Sequence, residues 1–89
     1  MLPEDQQRIL GYFIEEARDH LHTIEQGLLN LQSTVDDGEM MNELFRAAHS
    51  VKGGAAMLNL HSIHRTSHRL EDFFKLLKDS GVRPDRELE

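Results

Sequence analysis

The chain contains no cysteine among its 89 residues, so a disulfide frame and a thiolate metal site are both excluded, and the redox compartment is left open. No apolar run approaches the roughly 18 residues needed to cross a bilayer. The opening MLPEDQQRIL is polar and acidic where a leader would be basic and then apolar, so a soluble, cytoplasmic module is expected. Strand patterns, internal repeats and low-complexity segments are missing too. So are a glycine-rich phosphate loop and an acidic cluster that would hold a nucleotide's metal ion, so the segment has no means of its own to activate ATP.

What is present is ordinary for a folded domain: 38% apolar and 29% charged residues, enough for one small domain with a modest core. The net charge of −6 is unevenly spread. Acidic residues dominate through Phe45, whereas Arg46 to Lys78 carries an excess of lysine and arginine. A short basic segment in an acidic chain is a weak nucleic-acid footprint and a better steering surface for an acidic protein pocket.

Leu10, Ile14, Ala17, Leu21, Ile24, Leu28, Leu31 and Val35 recur at alternating spacings of four and three, which predicts one long helix with a single buried stripe over about 4–33. Pro3, Glu4 and Asp5 suit its first turn. Ser33 to Gly38 is turn chemistry, and Asp36 followed by Glu39 predicts a capping box for a second helix over about 38–58. That helix turns Leu44, Ala48, Val51, Ala55 and Leu58 inward. Asn59 suits its C-terminus, and a third helix over about 61–80 carries Ile63, Ser67, Leu70, Phe74 and Leu77 inward with Phe73 beside them. The fold class is all-α, an antiparallel up-down bundle. Gly81 is expected to end helix three, and VRPDRELE reads as the first turn of a truncated fourth helix.

The stretch AHSVKGGAA, Ala48 to Ala56, is unusual for a helix. Each glycine costs roughly 1 kcal/mol relative to alanine there, so a close approach beside His49 must offset the pair. At about 100° per residue, Lys52, Phe45, Ala56, His49 and Gly53 fall off the core face. On the third helix His64, His68, Glu71 and Lys75 share one flank beside the core. A turn between Asn59 and Leu60 brings His49 level with about residue 70 on the 1.5 Å ladder, bracketed by His68 and Glu71.

A carboxylate that accepts the N–H of one imidazole nitrogen fixes the tautomer and leaves the other as a nucleophile toward phosphorus. Lys52, one turn away, is placed to neutralise phosphoryl oxygens. Alternatives stay open on the residues alone. Glu71 can pair with Lys75 at i+4, and His64, His68 and Glu71 have zinc-compatible spacing. Lys75 and Arg65 crowd that face with positive charge, no glutamate completes a zinc-protease helix motif, and no metal is assigned. A plain helical interaction module is the third possibility. His20 and His22 point to different sides of helix one.

FRAAHSVKGGAAMLNL followed by HRLED resembles the histidine phosphotransfer (HPt) domain, most closely the one that opens chemotaxis-type histidine kinases, and the likeness covers essentially the whole chain. It implies a phosphocarrier in a two-component phosphorelay. By that resemblance His49 matches the phosphorylated histidine, Lys52 and Gly53 the family's lysine and glycine, and His68 and Glu71 the supporting pair, with Glu71 bonding the ring. Phe45, Gly53, Ala56 and His64 are the expected partner-docking residues. The implied partners are a histidine kinase catalytic domain that uses ATP and a response-regulator receiver domain; no nucleic acid, membrane or cofactor of this domain is expected. The likeness also implies that residues 1–89 are the N-terminal fragment of a larger kinase or hybrid kinase. Family members close a four-helix bundle. With the fourth helix truncated, a groove lined by parts of Leu10, Ile14, Phe73 or Leu77 is expected to face water and to promote a homodimer.

Overall fold

A computed structural model describes residues 3–80, which form four helices: α1 (Pro3–Leu29), α2 (Leu31–Val35), α3 (Gly38–Met57) and α4 (His61–Ser80). No strand occurs among the described residues. The expected stop at Gly81 and the expected fourth-helix start at 82–89 lie outside them.

The first helix is shorter than its periodicity predicts. Asn30 leaves helical geometry at φ −137° and ψ 66°, and the chain restarts as the single turn α2. Thr34 makes this break tolerable, because its buried hydroxyl donates to the carbonyls of Gly27 at 2.7 Å and Asn30 at 3.0 Å. A helix end that would otherwise bury an orphan carbonyl is thereby satisfied. Leu31 and Val35 keep the expected inward stripe and pack on the core.

The cap of α3 is Asp37 rather than Asp36. Asp37 is extended at φ −107° and ψ 102°, and its carboxylate accepts from the amides of Glu39 at 3.1 Å and Met40 at 3.2 Å. Asp36 is still helical, closing α2 at φ −78° and ψ −11°, so it cannot take the non-helical conformation that a cap needs. At the far end Asn59 adopts φ 59°. The amides of Asn59 and Leu60 reach back to the carbonyls of Ala56 at 3.2 Å and Ala55 at 2.8 Å, the paired bonds of a Schellman stop. Three residues, Leu58 to Leu60, then suffice to reverse the chain into α4.

α3 is the central element, packed along α1 on one side and α4 on the other. Its inward residues are buried as predicted: Leu44, Ala48, Val51 and Ala55, joined by Met41 and Ala47. Of these, Met41, Leu44, Ala47 and Ala48 meet Ile24 of α1 and Phe74 and Leu77 of α4 in one cluster. Two glycines permit close helix contact. A Cβ on Gly27 would lie 2.6 Å from Leu44, and one on Gly54 would lie 2.7 Å from the ring of Phe13.

Leu10, Ile14, Leu21 and Leu28, which share the predicted core stripe, are 39–49% exposed, as are Ile63 and Phe73. Periodicity places Leu10, Ile14, Leu21 and Leu28 on one face of α1, but among the described residues no element covers that face. An apolar groove of about 340 Å³ runs between Phe13, Ala17 and Leu21 on one wall and Ile63 and Leu70 on the other, floored by Val51. Of the residues expected to line such a groove, Leu10, Ile14 and Phe73 are exposed but lie outside its lining, and Leu77 is buried in the core cluster at 9% exposure.

Candidate functional site

The buried face of α3 serves two neighbours, and the outside of the helix divides into a flank bordering α1, with Glu43, Arg46 and Ser50, and a strip bordering α4. Phe45, His49, Lys52, Gly53 and Ala56 occupy that strip. On α4 the inward residues Ser67, Phe74 and Leu77 fix the helix rotation and bring Glu71 to the α3 boundary. Antiparallel register then sets Glu71 beside His49.

Three side chains converge there. The Glu71 carboxylate is buried, its side chain only 8% exposed, while the His49 ring is 62% exposed. One oxygen, Oε2, accepts from Nδ1 of His49. The other, Oε1, accepts from Lys52 Nζ at 2.7 Å. Burial raises the Glu71 pKa, but the hydrogen bonds and charge of Lys52 and His49 outweigh it and hold the carboxyl below its ordinary value. A buried carboxylate is therefore kept ionised by the residues that it orients. Pairing of Glu71 with Lys75, open on the residues alone, gives way to this arrangement.

With Nδ1 donating to Glu71, Nε2 carries the lone pair and points away from the carboxylate. The Phe45 ring lies nearly parallel to the imidazole, with centroids 6.2 Å apart and planes 12° off. Below Nε2 the surface is low. Gly53 is exposed, nothing approaches within 4 Å of where its Cβ would be, and Ala56 is exposed as well. The two adjacent glycines thus have different causes. Gly54 is required by Phe13 inside the fold, and Gly53 has no internal cause.

His68 is near this centre but does not join it as expected. Its Nε2 faces Asp72 Oδ2 at 3.7 Å, and its ring lies 6.3 Å from that of the half-buried His64. Asp72 was missed in the sequence reading, although its i+4 relation to His68 was available as a signal. Ligand atoms of His68, Glu71 and Asp72 all lie within 4.8 Å of one another. His20 lies elsewhere, on a shallow cleft between α1 and α3 with Arg46 and Ser50.

The Hpt domain family matches residues 8–89. The chemotaxis protein CheA of Borreliella burgdorferi is 30% identical over 88 residues, covering 99% of this chain and 10% of that protein. CheA of Klebsiella aerogenes is 38% identical over 76 residues, 85% of this chain and 12% of that protein. The sensor histidine kinase CheAY of Helicobacter pylori is 33% identical over 80 residues, 90% of this chain and 10% of that protein. The chain thus spans about a tenth of the length of these relatives, and no solved structure matches it. With the match covering nearly every residue and the histidine, lysine and carboxylate assembled on one surface, the chain belongs to the Hpt domain family.

Proposed function

We propose that the domain is a phosphocarrier in which Nε2 of His49 takes up a phosphoryl group from ATP held by a separate histidine kinase domain and passes it to an aspartate of a response-regulator receiver domain. The observation that carries this reading is the bond from His49 Nδ1 to the buried Glu71, itself held by Lys52. In the first step the Nε2 lone pair attacks the γ-phosphorus, an N–P bond forms, the bond to the bridging oxygen breaks and ADP departs. Nδ1 keeps its proton, and Glu71 stabilises the positive charge that develops on the ring. Lys52 is close enough to lend charge to the phosphoryl oxygens. In the second step the aspartate oxygen attacks phosphorus, the N–P bond breaks, and the imidazole is regenerated.

Phe45, Gly53, Ala56 and His64 form the docking surface in this reading. The vacant space over Gly53 lets a receiver's active-site loops reach backbone distance. The match to about a tenth of the CheA relatives' length supports a reading as one domain of a larger chemotaxis-type kinase. A cytoplasmic setting is part of this reading; no described helix is long and apolar enough to cross a membrane. Incubation with an ATP-fed cognate kinase tests the assignment. Acid-labile, base-stable phosphate should appear on the native chain and be absent from His49→Gln, whose helicity and melting stay nearly native because the replaced ring is exposed. Undiminished labelling of that variant would refute it.

The open groove supports one statement about assembly. In this reading a second copy covers it, because its walls of Phe13, Ala17, Leu21, Ile63 and Leu70 are apolar and because two-fold pairing sets the acidic α1 of one copy against the more basic α4 of the other. Light scattering over a wide concentration range should show a dimer. A strictly monomeric species that melts cooperatively at high concentration would overturn this.

A further inference from the structure

We propose that the ridge His68, Glu71 and Asp72 on α4 is a binding site for a borderline divalent transition metal of the zinc type, and that the metal suppresses phosphotransfer by competing with His49 for the Glu71 carboxylate. The second part rests on the phosphocarrier reading above; the first does not.

The three residues stand at i, i+3 and i+4 on one helix face, and their ligand atoms lie within 4.8 Å of one another. Zinc holds donors at about 2.0–2.2 Å in a tetrahedron, so about 3.4 Å from one another, and the set must contract by up to about 1.4 Å through side-chain rotation. The side chains that must move are free to do so, since those of His68 and Asp72 are 55% and 68% exposed. Glu71 is already fixed by His49 and Lys52, which lowers the ordering cost of one ligand. An imidazole with two carboxylates suits zinc better than magnesium or calcium, which take oxygen donors. Water completes the coordination. Lys52 opposes binding through its charge, so the affinity belongs in the micromolar range and the site is responsive to metal rather than permanently loaded.

The link to His49 follows from shared atoms. A cation on Glu71 withdraws the electron density that Nδ1–H of His49 bonds to, and so loosens the tautomer and ring orientation that phosphorylation needs. Asp72 faces His68 and takes no part in the bonds that join His49, Glu71 and Lys52, which allows the two roles to be separated.

Titrating the full 89-residue chain with zinc chloride in chelator-free buffer, followed by calorimetry and by nitrogen-15 spectra of the imidazoles, tests the site without any kinase. One zinc per chain is expected, with shifts at His68 and His49. Asp72→Asn should weaken binding at least tenfold while helicity is unchanged. In a kinase assay zinc should slow labelling of the native chain, and Asp72→Asn should label at the native rate and resist zinc. No saturable binding below about 1 mM zinc, a free energy near −4 kcal/mol, would overturn the proposal, as would zinc binding that survives both Asp72→Asn and His68→Gln. If zinc binds at the ridge and labelling is indifferent to it, the inhibitory part fails while the site stands.

Discussion

Replacing Glu71 with glutamine separates the charge of this residue from its shape. The carboxylate has two acceptor oxygens, one for His49 and one for Lys52. An amide offers one acceptor and an NH2 group that faces a donor. It can serve His49 or Lys52, but not both. Breaking a fully buried ion pair costs about 3–5 kcal/mol, but Lys52 is 23% exposed and His49 62%, so both can turn to water. The loss is then that of one hydrogen bond to a charged group, about 1.5–3 kcal/mol. For a domain of this size each kcal/mol moves the melting temperature by about 4–8 °C. The pH dependence has a definite sign. The Glu71 carboxyl is held below its ordinary value, so its contribution is complete above the unfolded carboxylate value of about 4.3 and is lost as pH falls through the lower folded value. The stability gap between native and Glu71→Gln should be flat from neutral pH to about pH 5 and narrow below that. Phosphorylation of His49 should slow by about 10–100-fold, the usual cost of losing a group that orients an imidazole, and should not vanish. Denaturant melts at several pH values, nitrogen-15 tautomer spectra and single-turnover labelling read these out. A variant with native stability at pH 7 and an unchanged His49 tautomer would show that the carboxylate orients nothing.

The remaining predictions concern Lys52, the glycines and the α1–α2 break. Lys52→Met should slow labelling while leaving the His49 tautomer in place, because Oε2 of Glu71 remains available; loss of the tautomer would show that Lys52 acts through Glu71 instead of on phosphate. Gly53→Ala should stabilise α3 by up to about 1 kcal/mol through helix propensity and slow transfer to the receiver, whereas Gly54→Ala should destabilise, since its Cβ would meet the Phe13 ring at 2.7 Å; equal melting temperatures would refute the division of roles. Thr34→Val should cost about 1–3 kcal/mol by orphaning the Gly27 carbonyl, and native-like denaturant midpoints would show that water replaces the hydroxyl.

The α3–α4 hairpin and its register were legible in the sequence because each rests on local chemistry. Asn59 tolerates the left-handed conformation of the turn, and the short connection forces antiparallel neighbours. Glu71 then meets His49 by counting along the two helices. The break at Asn30 was not legible, since Leu31 and Val35 continue the spacing of the first helix; what ends that helix is a tertiary bond from the Thr34 hydroxyl to Gly27. The choice of Asp37 over Asp36 depended on whether α2 is helical, which adjacent aspartates do not report. Spacing placed Leu10, Ile14 and Leu21 on one face correctly, but a stripe says which residues look the same way and not what covers them. His68 showed the same limit: its flank was right, and its partner Asp72 was decided by side-chain rotation.

The location of the site follows from the core rather than from the site residues. α3 packs against helices on two sides, so its inner arc is filled with leucine, valine and small alanines, and a glycine is needed where Phe13 presses in. Outside it, the arc from Phe45 through His49 to Ala56 is the one that borders α4. Helix α4 is locked by Phe74 and Leu77, and this locking brings a carboxylate, not another apolar residue, to the edge of that arc. A buried carboxylate there would be costly alone. His49 and Lys52 offset the cost, and in doing so become oriented themselves. Changing the packing of Phe74 should therefore disturb His49 as surely as changing Glu71, since the ring is aimed by a residue whose own position the core dictates.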